Sequence, residues 1–190
     1  MSDTRTPQPA ALGPSEIATP RLRLRPLRRR DAALIGLYAS DRRVAWMTAT
    51  IPHPYPPGQA EAFVERSLSP ASTEIVWAID TGADDENGLI GVVRLNRRGD
   101  READIGYFLA PAFWGTGYAS EAVEAVVGWA RAAGLRALTA EVIQDNTASV
   151  KVLTRAGFEY EGEGEVHGLA RGAMVPTFRY RHKLGHNPEG

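Results

Sequence analysis

One stretch, Ala103–Ala133, constrains this chain more than any other: ADIGYFLAP, then AFWGTGYAS, then EAVEAVVGWARAA. Ile105, Tyr107 and Leu109 alternate with Asp104, Gly106 and Phe108, the two-residue period of a strand with two different faces. Pro111 has no N–H to donate and ends the ladder. From Ala119 on, Ala122, Val123, Val126, Val127 and Ala130 recur at helical spacing, and Gly134 supplies the stop. Gly115-Thr116-Gly117 joins the two, so little side chain covers the first amides of the helix. Open amides at the positive end of a helix dipole make an anion site, and a phosphate or diphosphate is the usual guest. The same turn also fits a plain tight connection in which glycine only relieves sterics. Two familiar phosphate loops do not match. A P-loop requires Lys and then Ser or Thr after its last glycine, where Tyr118 and Ala119 follow Gly117. A dinucleotide fingerprint wants Gly or Ala where Ser120 stands, early in a parallel sheet, whereas the upstream segments read as antiparallel hairpins.

A chain of 190 residues fits one domain. Its 22 Lys+Arg balance 23 Asp+Glu, so no global field points to nucleic acid or to an acidic membrane surface. No apolar run approaches the ~20 residues needed to cross a bilayer. The polar, proline-rich start MSDTRTPQPAALGPSE lacks the layout of a signal peptide, so a cytoplasmic location is expected. With no cysteine, disulfides, thiol nucleophiles and Cys-based metal sites are excluded. The four histidines, His53, His167, His182 and His186, have no ligand spacing, and no metal is expected.

In chain order, residues 1–18 carry too little apolar content to fold and read as a disordered tail, 19–184 as a single domain and 185–190 as a C-terminal tail. Arg and Leu alternate from Arg21 to Leu27, as in an opening strand with Leu22 and Leu24 inward and arginines on the wet face. Asp31 then caps a short helix with Ala32, Leu34, Ile35, Leu37 and Tyr38. A stiff loop with four prolines, Ile51–Gly58, carries His53 and Tyr55 and fits either a pocket wall or a connector. A helix at Gln59–Leu68 follows. Strands at Glu74–Asp80 and Leu89–Asn96 and the central strand form an antiparallel meander with short polar turns. After the central helix come a strand at Ala137–Ile143, a helix opened by Asn146 or Thr147 and ended by Gly157, a strand beginning at Phe158–Glu161, and a last one at Met174–Leu184.

This order, with RLRLRPLRRRDA at the start, IGYFLAPAFWGTGYASEA in the middle and DNTASVKVLTRAGFEYEG near the end, resembles the GNAT superfamily of N-acetyltransferases. Within it the chain is similar to the type that acetylates ribosomal-protein N-termini, the RimJ and RimL type. The resemblance implies an α+β GNAT fold: a mixed central sheet of about six to seven strands, an antiparallel meander followed by β-α-β-α-β, flanked by about four helices. It also implies acetyl-CoA as co-substrate. The family's diphosphate loop (Gln or Arg, x, x, Gly, x, Gly or Ala) falls on Trp114, Gly115, Thr116, Gly117, Tyr118 and Ala119, with Trp114 departing from Gln or Arg. Phe108, Leu109 and Ala110 match the strand end that pairs with the pantetheine arm, and Asn146 and Ser149 match the motif beside pantetheine and the thioester sulfur.

The implied reaction is direct acetyl transfer from the thioester to an amine, and a protein or peptide N-terminal α-amine is the expected acceptor. Neutralising a lysine at pH 7 costs about 4.6 kcal/mol, against ~1–1.4 for an α-amine, so the α-amine asks less of a base. Asp104 matches the acidic residue that other members carry on this strand, and would act through water because Asp is short. Glu102, two residues away, is the second catalytic candidate, and Ser149 would return a proton to sulfur. Both carboxylates also fit plain surface residues at a strand start. The Leu109 N–H would stabilise the oxyanion. Glu161, Glu163 and Glu165 flank the family's acceptor groove, and Lys151 and Arg155 could meet phosphates; each set fits a solvated face equally. Two other readings stay open, an acetyltransferase of a small amine such as an antibiotic or polyamine, and a non-catalytic acetyl-CoA sensor. No nucleic-acid or membrane partner is expected, and the assembly is a monomer or homodimer.

Overall fold

A computed structural model describes residues 14–82, 88–99 and 101–185. In order the elements are β1 (Ile17–Ala18), β2 (Arg23–Pro26), α1 (Asp31–Ala39), α2 (Arg42–Trp46), α3 (Gln59–Leu68), β3 (Glu74–Asp80), β4 (Leu89–Arg97), β5 (Glu102–Leu109), a 3-10 turn (Pro111–Phe113), α4 (Tyr118–Ala132), β6 (Ala137–Ile143), α5 (Thr147–Arg155), β7 (Glu159–Gly168) and β8 (Ala173–Lys183). The expected mixed α+β architecture is present. Among the described residues it holds one strand and one helix beyond the expected range, β1 and α2, both too short to carry a periodic signal.

The strands form one mixed sheet in the order β1-β2-β3-β4-β5-β6-β8-β7. Neighbours are antiparallel except β5 and β6, which run parallel because α4 carries the chain back across the sheet. That parallel pairing covers only Glu102–Ala137, Ala103–Leu138 and Asp104–Thr139. Beyond Asp104 the two strands part, β5 running on to Leu109 and β6 to Ile143. An unpaired pair of strand edges opens in the middle of the sheet, and the site is built around it.

Each face has its own core. On one, Leu22, Leu24, Trp77, Val93, Ile105 and Leu138 pack under α4 and α5, with Val123, Val126 and Leu153 pressed down on them. Each such buried aliphatic side chain contributes about 1.5–3 kcal/mol. On the other, Val76, Ala78 and Val92 lie under Ala32 and Ile35 of α1 and Ala60 and Val64 of α3. Phe108 and the half-buried Tyr55 pack against this second core.

Three local expectations need correction. Arg25 does not lie on a wet face: it is 3% exposed, with Nε 2.7 Å from Asp80 Oδ2 and Nη1 2.8 Å from Asp31 Oδ2. α1 and α3 cover the side of the sheet that alternation assigns to solvent. Asp31 is the first residue of α1 and no side-chain cap; its carboxylate turns inward to Arg25 and accepts the Arg28 amide at 2.7 Å. Of the expected tail at 1–18, residues 1–13 lie outside the described residues. Its end is tied down: Ser15 accepts indole N–H groups from Trp77 at 2.9 Å and Trp129 at 2.8 Å, and Ile17–Ala18 pairs with β2. Residues 186–190 of the C-terminal tail also lie outside the described residues.

Candidate active site

The turn before α4 is made possible by two glycines. Gly115 and Gly117 sit at φ 74° and 85°, the left-handed region where a Cβ is strained. Gly117 is the N-cap and brings no capping side chain. The first backbone bond of the helix is Glu121 N to Gly117 O at 3.1 Å. Among the described residues the amides of Gly115, Thr116, Gly117, Tyr118, Ala119 and Ser120 therefore have no protein acceptor. Six open donors at a helix N-terminus suit a diphosphate. Arg21 braces the turn: Nη1 donates to Thr116 O at 3.0 Å, Nε to Glu121 Oε2 at 2.7 Å, and its guanidinium lies 4.7 Å from the Tyr118 ring centroid. Burial alone would raise the Glu121 carboxyl, but hydrogen bonds from Thr19 and Arg21 outweigh it and hold the group below its usual range. Sequence reasoning missed Arg21, whose only signal was a place in an Arg/Leu alternation.

β5 leads from this turn down the open edge. Ala110 N donates to Ile90 O on β4 at 2.9 Å. Hydrogen bonds alternate along an antiparallel ladder, so Phe108 and Gly106 also point their backbone groups at β4, whereas Tyr107 and Leu109 point theirs at the gap toward β6. This corrects the backbone role expected of Phe108 and Ala110. Trp114 Nε1 donates to Leu109 O at 2.9 Å, which leaves the Leu109 N–H and both backbone groups of Tyr107 facing the gap. An extended amide-bearing arm can pair there as a strand would.

Across the gap stands the first turn of α5. Asn146 is its N-cap: Oδ1 accepts from Ser149 N at 3.1 Å, while Nδ2 donates to Met47 O at 3.2 Å. Both ends of its amide are thus engaged within the protein, and they tie the turn carrying Ser149 to Met47. The Tyr107 hydroxyl points to the same turn, 3.5 Å from Ser149 O, and burial pushes its pKa up to about 12. A phenol this reluctant to ionise serves as a hydrogen-bond donor and makes a poor acid.

Asp104 occupies the last position of β5 that pairs with β6, between Asn96 on β4 and Thr139 on β6. It lies on the face opposite Ser149 and Tyr107, and the gap beyond it joins the two faces. Burial raises its pKa; Arg94 and Arg98 pull it down, while Glu141 and Glu74 push it further up. Glu102 is engaged elsewhere, accepting from Arg181 Nη1 at 3.0 Å while Arg181 Nε holds Glu161 at 2.7 Å. Glu141, which sequence reasoning did not single out, lies on β6 two residues beyond Thr139, the partner of Asp104. Its Oε1 accepts the buried Thr177 hydroxyl at 2.6 Å, and a Cβ on Gly164 would lie 3.1 Å from both atoms. Lys151 and Arg155 are exposed, with Arg155 3.6 Å from Glu124; Glu163 and Glu165 are exposed on the edge strand β7.

Open amides, unpaired strand edges and a carboxyl at their vertex suit a ligand with an anionic head and an extended arm. Residues 21–159 match the acetyltransferase (GNAT) domain family. The chain is 30% identical over 168 residues to the uncharacterized N-acetyltransferase p20 of Bacillus licheniformis, covering 85% of this chain and 92% of that protein. It is 37% identical over 91 residues to the uncharacterized N-acetyltransferase YoaA of Bacillus subtilis, spanning 46% of this chain and 50% of that protein. Among solved structures, the ribosomal-protein α-N-acetyltransferase RimL in complex with coenzyme A has a TM-score of 0.77 at 19% identity, over 89% of this chain and 98% of that one. Spermidine N-acetyltransferase from Vibrio cholerae, in complex with CoA and spermine, has a TM-score of 0.74 at 20% identity, over 87% and 97%. These two likenesses are of fold alone. The family match contains the whole strand, glycine turn and helix from which the site is built, and the chain belongs to the GNAT acetyltransferases, enzymes that transfer acetyl groups.

Proposed function

We propose that this N-acetyltransferase binds acetyl-CoA with its diphosphate on the amides of Gly115–Ser120 and its pantetheine arm against Tyr107 and Leu109, and acetylates a peptide α-amine. The observation that carries the reading is the gap between β5 and β6, which connects the open amides to Asp104. The amine nitrogen attacks the thioester carbon, the open Tyr107 N–H takes the charge forming on the carbonyl oxygen in place of the Leu109 N–H, which pairs with the pantetheine arm, and the C–S bond then breaks as the amide bond forms. Asp104, ionised, takes the first ammonium proton through water, and the second proton of the nitrogen passes to the Ser149 hydroxyl, with Tyr107 beside it, as that hydroxyl gives its own proton to the departing sulfur. An α-amine suits this site because releasing its proton at neutral pH costs only ~1–1.4 kcal/mol, within reach of a single short carboxylate. RimL, the structural neighbour described as an α-N-protein acetyltransferase, supports an α-amine acceptor.

A polyamine acceptor is the second reading. It is favoured by the carboxylates of Glu141 and Glu74, whose charge is felt at Asp104, and by the spermine-bound neighbour. Thiol release from acetyl-CoA with alanine-initiated peptides, spermidine, aminoglycosides and free amino acids separates the two. Peptide turnover well above the others supports the α-amine reading, spermidine preference replaces it with the second, and binding without turnover on any amine overturns both.

A further inference from the structure

The turn between β7 and β8 leaves the sheet and grips two other segments. Leu169 N donates to Ala49 O at 3.0 Å. Arg171 donates from Nε and Nη2 to Trp46 O, 3.1 Å in each case, and from Nη1 to Asp145 Oδ2 at 2.8 Å. Its guanidinium also lies 5.1 Å from the Trp46 ring centroid, with Arg42 at 4.5 Å from the same ring. The Arg171 side chain is 14% exposed although Asp145 is 65% exposed, so the fork is held inside a junction rather than draped over a surface. Asp145 immediately precedes Asn146, whose own side chain reaches back to Met47 O. Three segments distant in sequence, the end of α2, the entry to α5 and the β7–β8 turn, thus meet on one guanidinium.

We infer that Arg171 is a positioning residue that locks the segment Trp46–Ala49 to the first turn of α5, so that the acceptor wall and the Ser149 end of the acyl site hold one geometry. The inference rests on the proposed reading in taking Ser149 as the acyl end of the site; Met47, hydrogen-bonded to the Asn146 side chain that caps the Ser149 turn, puts Trp46–Ala49 beside that end, where the amine must approach. A planar fork reaches a carbonyl and a carboxylate together and stacks on an indole; a lysine ammonium supplies the charge without the fork. Charge alone therefore cannot restore the junction.

The test compares the wild type with R171K, R171A and, as control, R42A, which removes the other cation over Trp46. Amide hydrogen exchange is measured in the free protein and with coenzyme A, whose affinity is measured by calorimetry. Kinetics use an alanine-initiated tetrapeptide and spermidine. R171K and R171A are expected to speed exchange at least tenfold in both 46–50 and 145–150 with β3 and β4 unchanged. They leave coenzyme A affinity within threefold and raise the amine KM at least tenfold, and R42A does none of this. Faster exchange confined to 169–172, full rescue by R171K, or an unchanged KM in variants that still turn over overturns the inference. If the wild type acetylates neither amine, the proposed acceptor classes fail while the exchange data still decide whether Arg171 locks the two segments.

Discussion

Replacing Gly117 by Asp and, separately, by Asn isolates the charge at the proposed diphosphate site. The two side chains have nearly the same size, and both tolerate left-handed backbone better than other residues, so the φ of 85° costs them similarly. The added Cβ would lie 3.3 Å from Arg21 Nη2, the far end of an exposed side chain that can shift. A destabilisation of about 1 kcal/mol, or ~2–4 °C in Tm, is expected for both. The carboxylate differs in facing a diphosphate of charge about −2 at ~6 Å, which at an effective dielectric of ~40 is about 3 kcal/mol of repulsion. Screening over a Debye length of about 8 Å halves this, and Arg21 swinging toward the new carboxylate offsets a further part. Acetyl-CoA affinity, measured by calorimetry at 0.15 M salt, should therefore fall roughly threefold to tenfold from the Asn to the Asp variant. In low salt the gap should widen. Equal affinities in two folded variants would refute the diphosphate assignment, because no other step separates an amide from a carboxylate at that position.

Further expectations concern the acid-base face and the core. Asp104→Asn should lower kcat/KM by about 10²–10⁴ with little change in acetyl-CoA affinity, measured by steady-state kinetics and calorimetry. In the wild type, Asp104 acts ionised and its pKa is raised, so kcat/KM should climb with pH along a limb lying above the ordinary carboxylate range. Glu141→Gln removes a neighbour that pushes Asp104 up, and a pH-rate profile should show that limb moving to lower pH. Arg25→Met strands two buried carboxylates and should cost about 3–5 kcal/mol in urea unfolding. Burial raises Asp80, yet the Gly82 amide and Arg25 more than offset it and leave its pKa depressed. Its wild-type contribution is therefore complete above the unfolded carboxylate value and lost as pH falls through the lower folded one, so the cost of Arg25→Met should shrink in acid.

The periodic elements were legible at the residue level. β3 at Glu74–Asp80, β6 at Ala137–Ile143 and α3 at Gln59–Leu68 lie where apolar spacing marks them. The Arg/Leu alternation near Arg25 named two faces correctly, yet what covers a face is a tertiary matter, and α1 and α3 bury the arginine. Parity along β5 was likewise hidden. Whether Phe108 or Tyr107 aims its backbone at the gap follows from the register of Gly91 against Leu109, which local spacing does not encode. Glu141 reads as one outward residue between Ala140 and Val142, and only the sheet order brings it near Asp104. Arg171 sits in a turn with no period at all, and its two partners, Trp46 and Asp145, lie far off in sequence.

A crystal structure of the protein with acetyl-CoA tests the central claim most directly. The diphosphate oxygens should lie within hydrogen-bond reach of amides in Gly115–Ser120, the pantetheine amides should pair with Tyr107 and Leu109, and the thioester should enter the gap beyond Asp104. A cofactor bound with its diphosphate elsewhere, or with its arm outside the opening between β5 and β6, would contradict the account.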